Sequence, residues 1–160
     1  MIDGFQELID VVDRKLRLLG ISSSEAKLDH VGYKCSSAED YLQRKQDISK
    51  DLELVYEGSV RGSNLGIFKY AEPIKYKNAD ILGVEFIMPK DGEVSESFWE
   101  HVEYVVSGNL FEFVEKHPNV TWDTAAIDKS VFPKVAIRFE NGTCAKFHVE
   151  NVMDEVAKFE

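Results

Sequence analysis

The sequence predicts an α+β fold of two successive β-α-β-β-β modules behind an added N-terminal helix, and three observations carry that reading. Apolar residues alternate with period two in strand-length segments, switch to three- and four-residue spacing between them, and the order of segments repeats. The repeat is visible in letters, Asp29-His30-Val31-Gly32-Tyr33 standing against Glu100-His101-Val102-Glu103-Tyr104. The far end of each module then carries a metal-competent residue between apolar neighbours, Glu85 in Gly83-Val84-Glu85-Phe86 and His148 in Lys146-Phe147-His148-Val149.

The N-terminal helical extension, residues 1–27, rests on Phe5, Leu8, Ile9, Val12, Leu16 and Leu19, with Asp3 as its cap and Gly20 as its stop. The first module, residues 28–90, opens on a strand from Leu28 to Cys35. Ser36 and Glu39 offer a capping box for a helix through about Lys50. Strands from Leu52 to Ser59, Asn64 to Ala71 and Ile81 to Met88 follow, closed by Pro89. The second module, residues 98–151, has a strand from Trp99 to Val106, a helix from Leu110 to Lys116 and a short strand from Asn119 to Trp122. Strands Val135 to Glu140 and Thr143 to Glu150 flank Asn141-Gly142, a type I′ hairpin signal. A closing helix occupies residues 152–160, and with no low-complexity linker the whole of 1–160 is expected to be a single domain.

Composition narrows the function. The 160 residues are 44% apolar, enough for one substantial core, and the net charge of −10 argues against nucleic acid or an acidic membrane as partner. The first twenty residues have no basic leader and no run reaches transmembrane length, so a cytoplasmic protein is expected. Cys35 and Cys144 lack CxxC spacing and fall in strands, which predicts two buried thiols rather than a disulfide.

Strand parity sorts the side chains. Val31, Tyr33 and Cys35 share one face, and Leu28, His30, Gly32 and Lys34 the other; Val102, Tyr104 and Val106 oppose Trp99, His101, Glu103 and Val105. Glu85 and His148 likewise oppose apolar neighbours. If helices cover the apolar faces, His30, Glu85, His101 and His148 face a shared cavity. Burying such groups unpaired would cost several kcal/mol each, so a metal, a mutual hydrogen-bond network or an open cleft is required; one divalent ion, whether zinc, iron, manganese or nickel, is an economical solution. A strand histidine taken alone is more often a packing residue than a ligand; the repeated position is what favours ligation. Lys34, Lys69, Arg138 and Lys146 are the candidate substrate-binding cations of that face, with a surface charge as the plain alternative for each.

The four strands around Leu28-Asp29-His30, Val84-Glu85-Phe86, Glu100-His101-Val102 and Phe147-His148-Val149 resemble the metal-ligand strands of the vicinal oxygen chelate superfamily, which includes glyoxalase I, extradiol dioxygenases and bleomycin-resistance proteins. The chain is similar in particular to the YecM family, through Asp29-His30, Phe68-Lys69, Glu72-Pro73, Val84-Glu85, Trp99-Glu100-His101, Glu103 and Lys146-Phe147-His148. The resemblance covers most of the chain from Leu28 onward. It implies two paired βαβββ modules in a cupped mixed sheet and a metal held by one ligand from the first and one from the last strand of each module. His148 stands where glyoxalase-like members commonly have Glu, which counts against glyoxalase chemistry.

Two function classes follow. The first is a metal-dependent isomerase, lyase or dioxygenase in which the ion, as Lewis acid, holds neighbouring oxygens of a small substrate and Glu103 or Glu85 is the catalytic base. The second is a non-catalytic protein that binds or sequesters a small molecule in the same cup. Metal identity, substrate and reaction stay open at this point, and the module seam leaves room for a homodimer.

Overall fold

The computed structural model describes residues 3–159; the ends of the expected N-terminal extension and closing helix, Met1, Ile2 and Glu160, lie outside the described residues. Helix α1 (Phe5–Leu18) presents Phe5, Leu8, Ile9, Val12 and Leu16 as one buried stripe. Each such side chain contributes about 1.5–3 kcal/mol relative to exposure. The cap is Gly4 at φ 102, without a side-chain bond, rather than Asp3. The carbonyl of Asp3 instead accepts from Trp99 Nε1 at 2.8 Å, which fixes the chain's entry into the helix.

Strand β1 (Ala26–Lys34) leads into α2 (Ala38–Ile48), then β2 (Leu52–Val60), β3 (Ser63–Tyr76) and β4 (Ala79–Ile87). The α2 cap is displaced by one residue from the expected box. Ser37 Oγ accepts from Asp40 N at 3.0 Å, and the Asp40 carboxylate accepts from Ser36 N at 2.9 Å, so Asp40 takes the role expected of Glu39.

The second module contributes β5 (Phe98–Val106), α3 (Leu110–Lys116), β6 (Val135–Arg138) and β7 (Cys144–His148), and α4 (Val152–Ala157) follows. It lacks the strand expected at Asn119 to Trp122. Trp122 turns inward against Phe113 and Phe147, and only Asp123 pairs with β6, in a single bridge to Ala136. Residues 124–134 consequently run as an irregular segment over the sheet. The β6–β7 turn is not type I′, because only Gly142, at φ 84, is left-handed. Phe139 O accepts from Gly142 N and Phe139 N donates to Thr143 O, the pattern of a type I turn followed by a left-handed glycine.

The seven strands form one mixed sheet in the order β2-β3-β4-β1-β5-β7-β6. Its two parallel pairs, β1·β4 and β5·β7, flank the antiparallel seam β1·β5. One face carries the main core: the α1 stripe with Val31, Tyr33, Val84, Phe86, Val102, Tyr104, Ala145 and Phe147. On the other face Val152 and Val156 of α4 and Phe132 pack on Leu65, Ile67 and Ile87, so that α4 and the 124–134 segment close one side of a cup. Cys35 and Cys144 are free, buried thiols, as expected. Among the described residues no helix is long and apolar enough to cross a membrane.

Two bulges at the seam revise the strand parity. Asp29 has no partner on β5 and Glu100 none on β1; the register passes from Leu28↔Tyr104 to His30↔Glu103, and from Gly32↔His101 to Tyr33↔Trp99. Each bulge flips the residues beyond it. Leu28 and Trp99, expected on the histidine face, therefore pack with the core, Trp99 against Phe5 and Tyr33.

Candidate metal centre

The seam has an internal two-fold relationship. His30 stands opposite Glu103, and Gly32 opposite His101. Along the parallel pairs, Gly32 neighbours Glu85 and Glu103 neighbours Lys146. The register counterpart of Glu85 is thus Lys146, and His148 lies one pleat further on, at the counterpart of Ile87. The sequence comparison of Glu85 with His148 is out by two residues.

His30, Glu85, His101, Glu103 and His148 are nonetheless brought to one place, all at most 5% exposed. His30 Nε2 lies 3.5 Å from an oxygen of both Glu85 and Glu103. His101 Nε2 is 3.3 Å from Glu103 Oε1 and 3.7 Å from Glu85 Oε2. His148 Nε2 is 3.1 Å from Glu103 Oε2 and 3.6 Å from Asp29 Oδ2. Ligand atoms of His30, Glu85, His101 and Glu103 all fall within 4.8 Å of one another; His148 forms a second such group with Asp29 and His30. The fourth member of the main group is therefore Glu103, from the centre of the seam, where His148 was expected.

The imidazoles are oriented from behind. His30 Nδ1 donates to Asp29 Oδ2 at 2.8 Å, and His101 Nδ1 to Glu100 Oε1 at 3.2 Å. His148 Nδ1 donates to the carbonyl of Glu150. With the proton on Nδ1, each neutral ring turns a lone pair at Nε2 toward the carboxylates. All three Nε2 atoms are buried without a hydrogen-bond partner. Lone pairs facing carboxylates away from water call for a cation at their centre.

Without a metal ion, a second proton on the His30 and His101 rings is the cation that fills that role, with an N–H in place of each lone pair. Burial opposes charging His30, but Glu103, Asp29 and Glu85 outweigh it and carry its pKa well above the ordinary value. Burial and Lys146 oppose charging His101, yet Glu100, Glu103 and Glu85 raise it to about 10. Burial likewise works against ionised Glu85 and Glu103. Even so, His101 and His30 hold Glu85, and Lys134 and His30 hold Glu103, well below the usual carboxylate range. Glu155 is pushed up to about 6 by burial.

The cup above is a cavity of about 390 Å³, lined by His30, Glu85, Glu100, Glu103, His148 and Glu155 at its acidic floor. Its walls include Lys34, Arg61, Lys90, Lys134, Arg138 and Lys146. Of the expected cations, Lys34, Arg138 and Lys146 are present and Lys69 is not. Lys69 is exposed, beside the irregularity that separates it from Ile74 and redirects the end of β3. Lys134, not anticipated, donates to Glu103 Oε1 at 3.1 Å. It reaches the site from the irregular segment, which carries no periodic signal. Glu103 was legible, since parity already placed it beside His101.

A cupped mixed sheet assembled from two modules across an antiparallel seam is the fold of the vicinal oxygen chelate superfamily. Methylmalonyl-CoA epimerase from Mycobacterium tuberculosis shares it, with a TM-score of 0.53 at 14% identity over 76% of this chain and 85% of that one. A structural-genomics structure, Protein EC4020, superposes with a TM-score of 0.75 at 22% identity, covering 95% of this chain and 87% of that one. The family described as YecM protein matches residues 1–132, and the chain belongs to that family. Protein YecM of Escherichia coli (strain K12) is 25% identical over 101 residues, 63% of this chain; the match spans about half, 54%, of that relative's length.

Proposed function

We propose that this protein binds one divalent metal ion at the floor of the cup and uses it to hold a small oxygen-bearing substrate. The observation that carries this reading is the set of three buried, unpartnered Nε2 atoms of His30, His101 and His148 converging on Glu85 and Glu103. Imidazole nitrogen and carboxylate oxygen are the donors that zinc, iron, manganese and nickel share, and the donor set fits such an ion. His30, Glu85, His101 and Glu103 would hold it, with His148 completing the set. Bound there, the ion would supply Lewis acidity toward a substrate oxygen.

The remaining residues have separable tasks. Asp29 and Glu100 fix the ring orientation of His30 and His101. Lys134 offsets one charge of Glu103, and the cationic walls favour an oxygen-rich or anionic ligand. Because Glu85 and Glu103 both sit among the ligand nitrogens, we assign them to holding the ion first. Proton transfer by either would follow from release of a carboxylate oxygen.

Metal content of natively purified protein tests the reading, compared with His30→Ala and His101→Ala. One equivalent of a divalent ion in the wild type, lost in both variants, is expected. No stoichiometric metal after equilibration with zinc, iron, manganese and nickel would sink the proposal, and metal retained by the double variant would sink the ligand assignment.

A further inference from the structure

The second module departs from the first at one position where chemistry changes sign: the register counterpart of Glu85 is Lys146. Lys146 lies on the cup face of β7 with His148, while Ala145 and Phe147 between and beside them enter the core. It is half-buried on the cavity wall, laterally adjacent to Glu103 on β5.

The other cations of the wall are engaged or at the rim. Lys34 pairs with Glu93, Arg138 with Asp123 at 2.9 Å and Lys134 with Glu103 at 3.1 Å. Arg61 donates to the carbonyls of Val131 and Phe132 at 2.7 and 3.1 Å, and Lys90 is exposed. Lys146 has no carboxylate within 4.0 Å and no side-chain hydrogen bond among the described residues, although acidic groups surround it. A half-buried ammonium keeps three donors available, and a lysine is suited to an oxyanion as a compact point charge.

We propose that Lys146 is the specificity residue of the cup, receiving the carboxylate of a small 2-hydroxy or 2-oxo acid whose adjacent oxygen faces the His30–Glu85–His101–Glu103 cluster. The ligand class follows from adjacency. Lys146 on β7 and Glu103 on β5 are lateral neighbours, and both line one cavity with His30 and Glu85, so that the anionic group and the second oxygen must be close in the same molecule. The inference rests on the metal reading above, and one experiment separates the two.

Cobalt(II)-loaded protein is titrated with glycolate and with its neutral amide, glycolamide, following the visible absorption of the metal. Wild type should prefer glycolate. Lys146→Met should keep its cobalt but lose about tenfold or more in glycolate affinity, with little change for glycolamide, and Lys146→Arg should recover part of the loss. Lys34→Met makes the same change in net charge at a residue already paired with Glu93, and should lose much less. Equal losses in the Lys34 and Lys146 variants, or tighter cobalt with unchanged glycolate affinity in Lys146→Met, would reduce Lys146 to a general counter-charge and overturn the inference while leaving the metal centre intact. Failure of the wild type to load cobalt would overturn the metal reading and the inference with it.

Discussion

The imidazole of His101 lies directly against the backbone of Gly32: a Cβ placed on residue 32 would stand 2.0 Å from Cε1 and 2.2 Å from Nε2. Gly32 is thus absent a side chain because the ring of the opposing strand needs the space. Gly32→Ala should push His101 out of line and cost about 1–3 kcal/mol of stability from overpacking. Metal affinity should fall at least about tenfold. Thermal unfolding and metal titration check this. A variant with both properties unchanged would mean that the His101 ring can sit elsewhere without loss.

Asp29 joins the centre to the chain's C-terminal segment. Its Oδ2 accepts from His30 Nδ1 at 2.8 Å and from the Val152 amide at 3.0 Å, at the first turn of α4. Asp29→Ala removes both bonds in the interior. Metal affinity should drop by about 10–100-fold, as for other second partners of ligand histidines, and the Val152 amide should exchange faster with solvent. Asp29→Asn, which still offers an acceptor oxygen, should fall between. Slow exchange at Val152 in the alanine variant would show that α4 is held by its apolar contacts alone.

The strands, the helices and the side of the sheet on which the chemistry lies were legible because each is written in a period. The period marks His30, Glu85, His101 and His148, and their side chains converge. Parity fails where the backbone adds a residue. The bulges at Asp29 and Glu100 moved Leu28 and Trp99 to the core, and they also placed each acid behind the histidine that follows it. The letters Asp-His and Glu-His were visible, but their geometry depends on unpaired backbone that no periodicity marks. Parity puts Glu103 on the correct face and leaves it a candidate base, since nothing in one strand shows that its carboxylate lies within 3.5 Å of the Nε2 atoms of His30, His101 and His148 alike. Lys134 and Phe132 belong to the irregular segment between the expected strand at Asn119 to Trp122 and β6, and their positions follow from tertiary contacts alone.

That segment is also held through its backbone, beside the packing of Phe132 and the Lys134 contact with Glu103. The guanidinium of Arg61 bridges the carbonyls of Val131 and Phe132, and both Arg61 and Phe132 adopt left-handed backbone, at φ 49 and 47. Non-glycine residues in that region persist only where their surroundings hold them, at a cost of about 1–3 kcal/mol each. Arg61→Ala should release the strain at Phe132, speed amide exchange across residues 124–134 and loosen the Lys134 contact with Glu103. The measured change in global stability should stay within about 1–2 kcal/mol, because relief of strain offsets the lost bonds. Exchange in 124–134 equal to the wild type would place the anchor in the Phe132 ring, which packs against Tyr56, instead of the guanidinium.

A pH dependence is expected far from the cup, where Glu25 ties the loop before β1 to the end of α3. Its Oε2 accepts from Ser22 N at 2.9 Å, and its Oε1 from His117 Nε2 at 2.9 Å. The Ser22 amide is the main cause of a pKa held below the ordinary 4.5; burial opposes it, and His117 adds to the lowering. A folded-state pKa below the unfolded one gives stability that is complete above about pH 4.5 and disappears as pH falls through the lower folded value. The carboxylate is 29% exposed, so solvent screening should limit the effect to under about 1 kcal/mol. Glu25→Gln should therefore be less stable than the wild type at pH 6, with the difference shrinking toward pH 3. Urea unfolding at the two pH values measures this directly, and a difference that stayed constant would assign the loop's attachment to the packing of His117 on Phe113.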